Sequence, residues 1–370
     1  MPAPIQDSIS LEEVSRLSVG LEPAHNAIQS LSLLAKSEHF SGLNEWILGT
    51  DTALSAEERF RHRLVMLGFY YAVLPEQSWP SFPAYLSQLD RLSATTLRDK
   101  LLLAYAEIPA WKGKHLQRDE KAAPVEWETV LSSSGSFLSF LRERFGEDNV
   151  DPEIETQAYA LIKNPSEMKD LIVSHLRKMW ENHLSREWER ALPILQDTVR
   201  AFQQIDFSQM DRLEAGRLIT GQALEEGKWR EQFEQADRIT FIPNPHIGPY
   251  LWKVTSGNTL GIFFGPRLPK GAIIDAPDLT RTEINVRLSA LADDTRLQIL
   301  KMISETGEQR SQDIMQALQL SQSAASRHLT HLSATGFLSE RRCDGSKCYI
   351  LNSERIEETL QAISAFLLGK

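Results

Sequence analysis

Apolar residues recur at helical spacing along most of the chain before Asp237. The clearest case is the stripe Phe60, Leu64, Leu67 and Tyr71, preceded by Ser55 and Glu58 at the spacing of a reciprocal N-terminal cap, which predicts a helix over Ser55–Leu74. The same period predicts helices from Pro23 through Leu34 and over Tyr85–Leu92, Ser93–Ala106, Val125–Phe145, Asp151–Ile162, Ser166–Leu192, Ile194–Ile205 and Asp211–Leu224. Val14–Leu21 reads as a short strand, and Trp111–Pro124, with mixed charge and a glycine, as a loop. After Asp237 the pattern changes. Ile239–Ile242, Tyr250–Thr255 and Thr259–Phe264 are rich in β-branched and aromatic residues, with Ser256-Gly257-Asn258 as a hairpin turn, so a small antiparallel sheet is expected.

From Gly265 to Thr282 three prolines and two glycines break any period, which marks a linker. The chain therefore divides into a helical sensor or interaction domain ending in a small sheet (1–265), a linker (266–282) and a terminal unit (283–370). In that unit Ile284–Leu291 and Thr295–Ile303, the latter capped by Asp294, read as helices, followed by Ser311–Leu320 and, after a tight turn, Ser321–Thr335. In the last of these, Ser321 is a good N-cap, Ala325, Leu329 and Leu332 form an apolar face, and Gln322, Ser323, Ser326, Arg327 and Thr330 share the opposite one. Gly336 ends the helix. Two strands, Phe337–Arg342 and Lys347–Leu351, then flank Asp344-Gly345 as a basic hairpin, and Ser353–Leu368 closes the chain as a helix with an apolar stripe at Ile356, Leu360, Ile363 and Leu367.

The run Leu288–Leu351, with LSALADDTRLQILKMI, LSQSAASRHLTHLSATGFL and RRCDGSKCYIL in order, resembles the winged helix-turn-helix of ArsR/SmtB-type bacterial transcriptional repressors. GLEPAHNAIQSL and FIPNPHIGPYLW are similar to segments in the N-terminal regions of some long members of that family. Where the family usually has proline beside the threonine this chain has Asp294. The resemblance implies a mainly α (α+β) protein whose terminal unit dimerises through its first and last helices and presents two recognition helices to half-sites on duplex DNA.

Arg327 is the candidate for base recognition, because a guanidinium can bridge O6 and N7 of guanine. Gln322, Ser323, Ser326 and Thr330 are candidates for contacts to bases or phosphates, and Arg341, Arg342 and Lys347 for the backbone or minor groove. The formal net charge of −10 is unusual for a DNA binder, but Glu283–Lys370 carries only −1 of it, and Ser321–Leu351 is locally +2. Orientation on DNA is therefore expected to lean on amides and hydroxyls as well as charge.

No metal or cofactor is expected. The family's thiol site lies where this chain has Arg310-Ser311-Gln312, and its terminal-helix site needs histidine, which Ser353–Lys370 lacks. The two cysteines, Cys343 and Cys348, flank the wing tip and read as two reduced thiols on paired strands, the alternative being a redox switch that distorts the wing and weakens DNA binding. His175, Met179, His183 and Glu187 share a helical face and read as ordinary packing, and His246 as part of a structural turn. All eight tryptophans precede the linker, which leaves an apolar effector conceivable beside the simpler role of core filling. No apolar run approaches membrane-spanning length and the N-terminus has no secretory pattern, so a cytoplasmic protein is expected. These features point to a homodimeric DNA-binding transcriptional regulator, a repressor released from its operator by an effector sensed in the N-terminal region. The alternative is an enzyme with an appended autoregulatory winged domain.

Overall fold

The computed structural model describes residues 17–40, 42–108, 124–222, 224, 226–269, 281–343 and 346–368. Among these no helix is long and apolar enough to cross a membrane. The loop expected at Trp111–Pro124 lies almost wholly outside the described residues.

The N-terminal part is built of helices around one large apolar core that gathers, among others, Ile28, Leu31, Val65, Phe69, Phe82, Leu101, Phe137 and Leu176. The helix Ala56–Arg63 starts on the expected reciprocal cap of Ser55 and Glu58. It widens into a five-residue π-turn at Leu64–Gly68 before Tyr70–Val73. Gly68 lets the helix Pro152–Ile162 pack closely on this turn, because a Cβ there would meet the Cβ of Ala158 at 2.9 Å. Two predicted boundaries move. The helix expected over Val125–Phe145 is two, Trp127–Val130 and Ser134–Phe145, because Ser133 turns extended and caps the second through the amide of Ser136. Pro193 does not end a helix. The break falls at the π-turn Trp180–Leu184, and Ser185–Gln203 runs through Pro193, whose exposed position lets water satisfy the carbonyl that loses its donor. A helix at Glu226–Gln235 was not anticipated.

The sheet is mixed rather than antiparallel. Its order is β1 (Leu17–Val19), β2 (Arg238–Pro243), β4 (Thr259–Phe264) and β3 (Trp252–Ser256). β1 and β4 both run parallel to β2, and only the β3–β4 hairpin is antiparallel. β2 and β4 carry near-continuous buried runs, as strands covered on both faces must. A second core of Phe202, Ile219, Phe233, Phe241 and Phe264 lies against this sheet.

Two polar networks thread the helical core. His62 joins the carbonyl of Leu31 at 2.9 Å and the ring of His175 at 3.0 Å. His246 joins Ser30 Oγ at 2.7 Å and Glu187 Oε1 at 3.1 Å, and Asn244 donates to Asn26 Oδ1 at 2.9 Å. Hydroxyl, imidazole and carboxylate thus stand in line, but Ser30 is 2% exposed and its hydroxyl donates to the carbonyl of Asn26, so the line is core scaffolding. The expected face of His175, Met179, His183 and Glu187 is likewise divided: His175 turns to His62 and Glu187 to His246. Tryptophans at 46, 79, 127, 180 and 252 pack against the large core and Trp229 lies in the second.

Residues 281–368 form the smaller unit: helices Arg281–Leu291, Asp294–Thr306, Ser311–Ala317 and Gln322–Ala334, a sheet of β5 (Gln309–Arg310), β7 (Ser346–Leu351) and β6 (Leu338–Cys343), and the helix Ser353–Leu368. Its core is Ile299, Ile303, Ile314, Leu329, Leu332, Phe337 and Tyr349. The cap of its second helix is Asp293, which accepts from the amide of Arg296, rather than Asp294.

Burial holds His62 down to about 4 and His175 to about 3 from an ordinary 6.5, so both stay neutral in the fold while an unfolded chain would protonate them. Their stabilising contribution is complete above pH 6.5 and is lost as pH falls through the window to about 4 for His62 and about 3 for His175. Thermal unfolding midpoints should drop across that window. H175Q, which keeps a donor toward His62 but cannot titrate, should shallow the slope; an unchanged slope would contradict the assignment.

Candidate nucleic-acid interface

The second helix of the pair is Gln322–Ala334, started by Ser321, whose hydroxyl accepts from the amide of Ala324 at 3.2 Å. It ends as expected at Gly336, whose φ of 82° lets the amide of Phe337 reach back to the carbonyl of Leu332 at 3.0 Å. The preceding helix, Ser311–Ala317, is one turn shorter than expected. The tight turn after it places Gln319 in the left-handed region, φ 52°, a conformation few side chains adopt. Arg296 braces the assembly from behind: it is 6% exposed and donates to the carbonyls of Ala290 and Ser289, both at 2.7 Å.

Gln322, Ser323, Ser326, Arg327 and Thr330 are all exposed, and together they form a polar strip over the first turns of the helix. Ala325, Leu329 and Leu332 are buried on the other side. His328 is half-buried, with Nδ1 3.7 Å from an oxygen of Asp293.

The last turn is different. His331 is fully buried against the N-terminal part: its ring centroid is 6.1 Å from that of Tyr250, and a Cβ on Gly42 would fall 2.3 Å from two of its ring atoms. Ala334 packs on the large helical core. Among the described residues neither ring nitrogen of His331 has a hydrogen-bond partner, and burial, then the charge of Arg296, lowers its pKa to about 4. A neutral ring in that seam is therefore the stable form at ordinary pH. Nothing in the sequence singled out this seam, because a histidine four residues after Arg327 looks like part of the polar strip.

In the wing, β6 and β7 pair with Arg341 opposite Cys348 and Cys343 opposite Ser346. Arg341 and Lys347 are exposed, as a role toward phosphate requires. Each already has a carboxylate partner: Arg341 is bound by Glu308 through two hydrogen bonds, and Lys347 Nζ lies 2.6 Å from Glu340. Of Arg342, which belongs to β6, only the backbone is described. The two thiols expected on paired strands, Cys343 and Cys348, are brought together at the wing tip with Cα atoms 6.0 Å apart, a separation that a disulfide can span. The register places them diagonally on one face, Cys343 opposite Ser346 and Cys348 opposite Arg341. Glu308 lies beside them, so with the thiols reduced Glu308, Cys343 and Cys348 form a group with metal-ligand chemistry.

Two adjacent helices joined by a tight turn, the second with an open polar face, followed by a two-stranded wing: this is the winged helix-turn-helix class of DNA-binding proteins. Residues 293–340 match the family model for the bacterial regulatory protein, arsR family, and the terminal unit is an ArsR-type winged helix-turn-helix of a DNA-binding transcription regulator. No curated protein and no solved structure matches the chain.

Two outcomes follow from this geometry. E308Q should free Arg341, strengthen binding to random duplex and steepen its salt dependence by about one counterion; an unchanged salt slope would show that Arg341 does not approach phosphate. G42A should force the His331 ring from its seat and speed amide hydrogen exchange around Leu329–Phe337, and unchanged protection there would contradict the seam.

Proposed function

We propose that the chain is a homodimeric repressor that holds an operator through the strip Gln322, Ser323, Ser326, Arg327 and Thr330 and the wing residues Arg341, Arg342 and Lys347, and releases it when the N-terminal region binds a small effector. The observation that carries the reading is the open strip itself, set on a helix whose other faces are packed. The division into 1–265, the linker 266–282 and 283–370 belongs to the same reading. The linker is not a free tether at its start, since Arg267 donates to the carbonyl of Leu218 at 2.7 Å and to Glu283 at 3.2 Å.

A cleft of about 260 Å³ lined by Glu22, His25, Glu76, Ser78, Arg238 and Thr240 is the candidate effector site. Ile242 and Val254 line it beside these charged and hydroxyl groups, so it offers apolar and polar contacts alike. Glu22 holds a left-handed backbone there, φ 43°, and its carboxyl is kept below the usual range by the ring of His25, whose Nδ1 lies 3.4 Å from Glu22 Oε2. One turn on, Asn26 bonds Asn244, which fixes the loop before β3. That loop carries Tyr250, and Tyr250 meets His331 of the reading helix. An effector that prefers one setting of this chain of contacts shifts the DNA-binding equilibrium by its difference in affinity for the two settings.

Dimerisation has its own support. The last helix exposes Leu360 (56%), Leu367 (71%) and Leu368 (64%), and beside it Arg287 of the first helix donates to Thr359 Oγ1 at 3.0 Å. L360E/L367E should sediment as a monomer where the parent is a dimer; a parent monomer at micromolar concentration would contradict this. Fluorescence anisotropy with DNA from upstream of the chain's own gene tests the central reading. R327A should cost about 1 to 3 kcal/mol on the selected site and little on random duplex, whereas equal losses on both would show that Arg327 touches only phosphate.

A further inference from the structure

We propose that the wing carries a reversible dithiol–disulfide couple whose oxidised form is the better DNA-binding state. The inference rests on the DNA-binding reading above. The chain has only two cysteines in 370 residues, and the fold brings both to one face of the hairpin that would lie on DNA. Their Cα atoms are 6.0 Å apart, inside the range a disulfide spans. The hairpin keeps its antiparallel register from Leu338↔Leu351 to Cys343↔Ser346, which holds the two residues at that separation.

The two sulfurs are differently placed. Cys343 is half-buried and Cys348 is 3% exposed, so Cys343 is the one that an oxidant in solution reaches. With hydrogen peroxide as oxidant, the Cys343 thiolate attacks one peroxide oxygen and breaks the O–O bond. This leaves a sulfenic acid and a hydroxide that takes up the thiol's proton as water. The Cys348 sulfur then attacks the sulfenic sulfur, its proton leaves with the displaced hydroxide as a second water, and the S–S bond forms. The two sulfurs supply the two electrons that reduce the peroxide. A dithiol reductant reverses the step by exchange, taking the disulfide for itself and returning two thiols.

The consequence for DNA follows from where the bond lies. Arg341 is directly opposite Cys348, and Lys347 precedes it, so the crosslink ties together the strands that present both cations. In the reduced wing those strand ends regain freedom that must be lost again on a duplex. Reduction should therefore weaken binding by about three- to tenfold.

The test uses the full chain, in parallel series with and without a chelator. The reduced, desalted protein is titrated with hydrogen peroxide, and mass spectrometry with thiol alkylation reads the loss of two hydrogens and its reversal by dithiothreitol. Anisotropy on upstream and random duplex DNA follows in both states, alongside C343S/C348S. The proposal predicts a reversible intramolecular crosslink, tighter binding when oxidised, and a double variant fixed near the reduced affinity whatever the peroxide. Failure to form the crosslink, over-oxidation without it, or identical affinity in the two states would overturn it. So would a response seen only without chelator, which would assign the effect to a metal held by Glu308, Cys343 and Cys348. Absence of duplex binding in both states, with the crosslink still reversible by mass, would instead contradict the DNA-binding reading on which the proposal stands.

Discussion

The packing of one thirteen-residue helix constrains everything else. Gln322–Ala334 is held on its apolar side by Ile299, Ile303 and Phe337 of its own unit, and at its last turn by Gly42 and Tyr250 from the distant N-terminal part. What remains exposed is a narrow polar strip over the first turns. A protein interior close-packed on both flanks does not yield gradually, so the strip has few settings, and whatever moves Tyr250 or Gly42 acts on the helix directly.

Electrostatics add a second constraint. The whole chain is acidic, and the described wing cations Arg341 and Lys347 are met by Glu308 and Glu340. Arg327 stands on the strip with no ion pair to a described residue. Cations already paired lose part of their advantage on meeting phosphate, because the old partner must first be given up. In the proposed complex, hydroxyls on the strip and amides at the helix start, where the helix dipole favours an anion, would therefore carry a larger share of positioning.

Much of the terminal unit was legible in its residues because its signals are local: Ser321 as a cap, Gly336 as a stop, the period of Ala325, Leu329 and Leu332, and the hairpin around Asp344-Gly345. The same holds for Ser55 and Glu58. Errors arose where a local signal met a non-local constraint. Pro193 looks like a terminator, but a helix exposed on that side tolerates it. The three residues of β1 pair with a strand 222 positions away, and no periodicity encodes a parallel partner at that range. Trp229 and Phe233, with ring centroids 5.7 Å apart, did offer a helical signal for Glu226–Gln235, though the charged residues around them masked it. The contact of His331 with Tyr250 and the grip of Glu308 on Arg341 are tertiary facts. Composition and spacing could place those residues on their elements but not against each other.

Selection from a pool of random duplexes, followed by footprinting of the winners, is the most direct measurement of the central claim. The account predicts enrichment of a near-palindrome with major-groove protection in two half-sites about one helical turn, or a whole number of turns, apart. A pool that emerges unenriched, with retention that disappears uniformly as salt rises, would show that the strip reads no sequence and would contradict it.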